Sequence, residues 1–141
     1  QAARQLAGAG VAALDVAGAG GTSWSEVEYH RAPTAFHARV ARAFADWGIP
    51  TAESLQHVRE AAPGVPAFAS GGLRDGIDAA KAIALGATLA GMAGPYLRAA
   101  AQGEEALDET IRVVTTQLRI TMLASGARDL AALQNTPLHV N

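Results

Sequence analysis

The sequence predicts an α/β chain with a parallel sheet, built from repeated strand–turn–helix units. Three observations predict it. Mostly apolar runs recur at Val11–Val16, Val65–Ser70 and Thr88–Met92. Each run ends in a glycine-containing turn: Gly18-Ala19-Gly20-Gly21, Gly71-Gly72 and Gly94-Pro95. Segments with helical periodicity lie between and after them. Short apolar runs alternating with helices are the pattern of βα units, and near-continuous apolarity marks strands covered on both faces.

The elements follow in order. Residues 2–7 read as the end of a helix, with Gly8 and Gly10 as candidate C-caps. After the first strand, Glu26 to His30 reads as helix, with Thr22, Ser23 and Ser25 as rival N-caps. Phe36 to Ala45 carries Phe36, Val40, Ala43 and Phe44 on one stripe, and Thr51 to Ala62 begins with Thr51 as N-cap. Ala79 to Leu85 places Ile77, Ala80 and Ala84 on one face and is closed by Gly86. The longest helix, Glu104 to Ser125, spaces Leu107, Ile111, Val114, Leu118 and Met122 along a face and ends at Gly126. Asp129 to Leu133 adds one more turn. Abundant alanine favours helix throughout, because alanine gives up no side-chain entropy there.

Composition excludes several classes. At 141 residues the length sits near the mode for one domain, and with half of the residues hydrophobic the chain is no disordered tail. Eleven basic and 13 acidic residues give a net charge of −2, so no basic surface announces a nucleic-acid partner. The absence of cysteine removes disulfides, thiol nucleophiles and thiolate zinc sites. No stretch approaches the roughly 20 apolar residues needed to span a bilayer. The start, Gln1-Ala2-Ala3-Arg4, has no Met and no signal-peptide pattern. It reads as a cleavage or truncation point in a cytoplasmic globular protein.

The strand ends are where chemistry is expected. In Ala69-Ser70-Gly71-Gly72-Leu73-Arg74-Asp75, a strand runs through two glycines into a helix start. Glycines let a backbone approach a ligand closely, a helix start offers N–H donors, and Arg74 carries a planar fork suited to phosphate. One βα unit later, Gly91-Met92-Ala93-Gly94-Pro95 forms a second such end. Loops after the last two strands of a (β/α)₈ barrel commonly build a phosphate site, and this pair matches that arrangement. Gly94-Pro95 also suits a helix start with Pro at its first position. At the first strand end, Thr22 is placed either to bond a ligand or to cap the next helix. Trp24 is placed either to cover a ring or to pack at the rim. His30, His37, His57 and His139 show no i, i+4 metal pair. Arg31 is a candidate ion-pair partner for a ligand or a neighbouring subunit.

These residues closely resemble the type 2 isopentenyl diphosphate isomerases. The resemblance is carried by Gly20-Gly21-Thr22-Ser23-Trp24 with Glu26, Glu28 and Arg31, by Asp46-Trp47-Gly48-Ile49-Pro50-Thr51 and by Ala69-Ser70-Gly71-Gly72-Leu73-Arg74. Asp78 to Ala87 and Gly91-Met92-Ala93-Gly94-Pro95 continue it, collinearly over nearly the whole chain. The resemblance implies FMN-dependent isomerisation of isopentenyl to dimethylallyl diphosphate in isoprenoid biosynthesis, with Mg²⁺ and with NADPH as reductant. It implies a TIM (β/α)₈ barrel that forms homo-oligomers, with the reduced flavin as the acid–base group. By motif position, Thr22 is an FMN contact, Gly72, Leu73 and Arg74 belong to its phosphate loop, and Ala93 and Gly94 form the partner loop. Family members often carry Ser where Ala17 stands, so one flavin hydrogen bond is lost here or left to water.

A complete barrel needs about 250 residues. The expectation is therefore that residues 1–141 are the C-terminal part of one FMN-binding barrel, about three βα units corresponding to strands 6–8, followed by C-terminal helices. The family's catalytic, metal-binding and substrate-diphosphate residues are then expected upstream of Gln1, and the segment alone is expected to be inactive. Lys81, the single lysine, lies mid-helix and replaces none of them. Two alternatives stand beside this reading. One is another FMN-dependent barrel oxidoreductase, such as a 2-hydroxy-acid oxidase; the other is an inactive phosphate-binding half barrel.

Overall fold

The computed structural model describes residues 1–138. The order of elements is α1 (Ala2–Gly8), β1 (Leu14–Asp15), α2 (Trp24–Arg31), α3 (Ala35–Arg42), α4 (Thr51–Ala61) and β2 (Ala67–Ala69). It continues with α5 (Gly76–Ala84), β3 (Leu89–Ala90), α6 (Gly94–Ala100), α7 (Glu104–Ala124) and α8 (Leu130–Leu133). The strands form one parallel sheet in the order β1-β2-β3, with Leu14 opposite Ala67 and Phe68 opposite Leu89.

The three apolar runs are strands, but shorter than their apolar lengths. Pairing nevertheless extends beyond the named strands. The N–H groups of Leu14, Val16 and Gly18 donate to the carbonyls of Pro66, Phe68 and Ser70. Central β2 buries Ala67 and Ala69. Coverage on both faces was expected for all three strands and holds best there: Asp15 is exposed in β1 and Leu89 is half exposed in β3.

The core lies on one side of β2 and continues through α5. Leu55 of α4, Ala67, Ala69, Leu73, Ala82 and Ala87 form one buried cluster, with Val16, Val58, Leu85, Ala90 and Met92 packed against it. Ala80 and Ile83 on the far face of α5 join Ala127 and Leu133 in a second. Small residues let α5 sit this close to its neighbours. A Cβ at Gly76 would lie 2.6 Å from the Leu118 nitrogen and on the Val114 carbonyl oxygen of α7. The Gly76 N–H instead donates to the Gln117 side chain at 3.0 Å.

Three details differ from the sequence reading and one settles between its alternatives, each for a local reason. Thr51 is the first residue of α4 rather than its cap; Pro50 holds that position, and the Thr51 hydroxyl is turned to the Gly71 carbonyl. Ser23 caps α2 by accepting from the Glu26 N–H, which leaves the Thr22 hydroxyl out of the capping role. The α7 packing face runs through Leu118 and Met122, whereas Ile111 is 44% exposed. In α5 the buried face is Ala79, Ala80, Ala82 and Ile83, and Ile77 points outward.

Candidate functional site

The loops that follow the three strands converge at the C-terminal edge of the sheet. Their geometry starts with glycine. Gly71 and Gly72 both adopt left-handed backbone, at φ +99° and +80°. A Cβ at Gly72 would lie 2.6 Å from the Gly20 carbonyl, and one at Gly71 would strike the Gly18 backbone. The β1 loop thus lies directly on the β2 loop, backbone against backbone, as only residues without side chains permit.

Side chains lock this contact. The Asp15 carboxylate accepts from the Ala17 N–H at 2.9 Å and from the Ser70 hydroxyl at 2.5 Å, tying the ends of β1 and β2 together. Ala17, held by that turn, has φ +40°, an uncommon conformation for a residue with a side chain. The Ala19 N–H donates to the Ile49 carbonyl at 2.8 Å, anchoring the outer part of the loop to the segment before α4.

A cleft of about 750 Å³ opens between the three loops. All six residues singled out from the sequence line it: Thr22 from the first loop, Gly72, Leu73 and Arg74 from the second, and Ala93 and Gly94 from the third. Ala17 and Trp24 line it too. Among the described residues, the backbone N–H groups of Gly72, Leu73, Ala93 and Gly94 have no protein partner. All four residues line the open cleft, where unpaired backbone groups are tolerated.

The start of α5 departs from expectation. The sequence reading gave it free donors, but the Asp75 carboxylate takes the N–H groups of Ile77 and Asp78, and Gln117 takes that of Gly76. The donors that remain are those of the glycine loop itself. Arg74 is also engaged: its backbone N–H and guanidinium both reach Asp78 at 3.2 Å, while its side chain is 80% exposed. An exposed pair of this kind holds Arg74 loosely.

Sequence reasoning missed Arg98, which lines the same cleft from α6. Its signal was its position, one helical turn beyond Gly94. A second hollow adjoins the first, lined by Trp24, Phe44, Trp47 and Ile49, with Ala17, Gly18 and Gly20 to Thr22 as the shared wall. Trp24 and Trp47 are 78% and 82% exposed, so neither packs in the core. Glu26 reaches Arg42 at 2.6 Å, and the Arg42 guanidinium lies 5.1 Å from the Tyr29 ring centroid. Arg31 is exposed, Lys81 lies mid-α5 beside Asp78, and His30, His37 and His57 lie apart from the cleft. His139 lies outside the described residues. Among the described residues no group of three or more His, Asp or Glu side chains could hold a metal, and no helix is long and apolar enough to cross a membrane.

A glycine-lined cleft with unpaired N–H groups and arginines, at the C-terminal edge of a parallel sheet, has the chemistry to accept an anionic group such as a phosphate ester. Comparison with known proteins gives the class: the model of the FMN-dependent dehydrogenase family matches residues 1–140, and the chain belongs to that family. Within it, the chain is similar to proteins named isopentenyl-diphosphate delta-isomerase, as the sequence resemblance anticipated. It is 58% identical over 132 residues to that of a Synechococcus species, covering 94% of this chain and 38% of the relative. It is 57% identical over 136 residues to that of Xanthobacter autotrophicus, covering 96% and 39%. The chain thus spans about two fifths of the curated relatives it matches. Solved structures of mandelate oxidase superpose with a TM-score of 0.71 at 24% identity, over 95% of this chain and 34% of theirs. The fold is accordingly that of a TIM-barrel segment carrying three parallel strands.

Proposed function

We propose that this chain is the FMN-phosphate-holding part of an enzyme that converts isopentenyl diphosphate to dimethylallyl diphosphate. The observation that carries the reading is the convergence of Thr22, Gly72, Leu73, Arg74, Ala93 and Gly94 on one cleft, four of them with unpaired backbone N–H groups. The residues fit the cofactor. A phosphate monoester carries close to two negative charges and three acceptor oxygens at neutral pH; the cleft offers backbone donors and arginine. Similarity to the named isomerases supports the reaction assigned.

In this reading the three units are strands 6–8 of one barrel, the C-terminal portion of a single FMN-binding domain, followed by C-terminal helices over residues 104–138. When bound and reduced, FMN supplies the acid–base chemistry at the allylic carbon. The residues of this chain bind and orient it. The 70–74 and 91–95 loops would hold the phosphate, and Thr22 would contact the flavin. Ala17 offers no side-chain hydrogen bond there, leaving its share to backbone or water. Mg²⁺, NADPH as reductant, the residues that bind the substrate diphosphate, a homo-oligomeric assembly and a cytoplasmic setting come with the resemblance. The catalytic groups lie in the other part of the barrel, and the segment alone is inactive.

The test uses the full-length protein with isopentenyl diphosphate, Mg²⁺ and reduced flavin. Isomerisation supported by FMN is expected. Oxidation of a 2-hydroxy acid without isomerisation would overturn the assignment in favour of an oxidase of the same family.

A further inference from the structure

Arg98 stands outside every motif that identified the cleft, yet it reaches the same place. It projects from α6 so that one guanidinium nitrogen would lie only 3.3 Å from a Cβ at Gly94, the whole group folding back over that glycine. It lines the main cleft together with Gly72, Arg74 and Ala93, and with Arg74 it also lines the narrower hollow that continues toward α7. Backward folding over the preceding turn is the natural direction of a helical side chain. A side chain at Gly94 would occupy the space the guanidinium uses.

Charge gives Arg98 its role. Around the phosphate loop, Arg74 is paired with Asp78, and Asp75 caps α5. Those three groups sum to a charge of −1, a poor setting for a dianion. Arg98 forms no ion pair among the described residues, although Glu109 lines the adjoining hollow. It is therefore the cation at this cleft whose charge is not already spent on a neighbour.

We propose that Arg98 is a phosphate-binding residue of the cofactor site, and that residue 94 is glycine to leave its guanidinium room. The inference rests on the FMN reading above and adds a residue which that reading does not require. Its role is recognition of the phosphate, not of the flavin ring.

Riboflavin, which lacks the phosphate, separates the two ideas. Affinities of the full-length protein for FMN and for riboflavin are measured by flavin fluorescence, for the parent and for Arg98→Ala, Arg98→Lys and Gly94→Val. Parent protein that binds FMN no more tightly than riboflavin would overturn the phosphate cleft itself. Given FMN selectivity in the parent, Arg98→Ala is expected to weaken FMN by about tenfold, the size of a charge-assisted hydrogen bond, and to leave riboflavin unchanged. Arg98→Lys should recover part of the loss, and Gly94→Val should weaken FMN as well. An unchanged FMN affinity in Arg98→Ala, or an equal loss for both flavins, would overturn the role of Arg98 while leaving the cleft standing.

Discussion

Helix α5 buries Gly76, Ala79, Ala80, Ala82 and Ile83, whereas α2 and α3 bury no residue at all. Yet the second region carries the larger apolar side chains, with Phe36 71% exposed and Phe44 and Trp47 stacked edge-to-face at 5.7 Å in the open. Helix α5 is held because small residues bring it close to both the sheet and α7. Within the α2–α3 arm, polar ties join the two halves: Ser23 and Ser25 to the carbonyls of Ala45 and Phe44, and Glu26 to Arg42. Hydrophobicity of the residues is therefore a poor guide to which part of this molecule is tightly packed; backbone approach is the better one. The cleft is framed by loops that touch backbone to backbone.

Substitutions should separate the two regions. The largest effect is expected at Gly71, where a side chain faces both a φ of +99° and the Gly18 backbone. Gly71→Val should cost on the order of 4 kcal/mol, strain and steric overlap together, read as the shift of a urea unfolding midpoint. Leu55, fully buried between α4 and β2, comes next: Leu55→Ala should cost about 3 kcal/mol in the same measurement. Arg74→Ala removes only an exposed ion pair, so stability should fall by less than about 1 kcal/mol. Trp47→Ser should change the midpoint least, by no more than about 0.5 kcal/mol. A loss at Trp47 matching that at Leu55 would show that the arm is a packed face and erase the distinction.

Much of the candidate cleft's geometry was legible in sequence because glycine placement reports backbone geometry directly. Gly71-Gly72 and Gly94-Pro95 marked the two loops, and the helices after them began where those loops ended. Other features depended on groups distant in the chain. Nothing in the local sequence shows that Gln117 takes the Gly76 N–H from 41 residues away, or that the Thr51 hydroxyl turns to Gly71 instead of capping its own helix. The apolar runs overstated β1 and β3, because an apolar residue such as Leu89 marks a strand without showing what covers it. Ile111 fits the periodicity of α7 and still faces outward, since spacing defines a stripe but not its width. Arg98 escaped because its partner is the empty space over Gly94, which only the folded loop reveals.

The central claim is that the loops at residues 70–74 and 91–95 hold a phosphate ester. A crystal structure of the flavin-loaded full-length protein tests it most directly. The account predicts the FMN phosphate between these loops, accepting hydrogen bonds from the Gly72 and Gly94 backbone N–H groups. A phosphate bound elsewhere, with both loops bare, would contradict it.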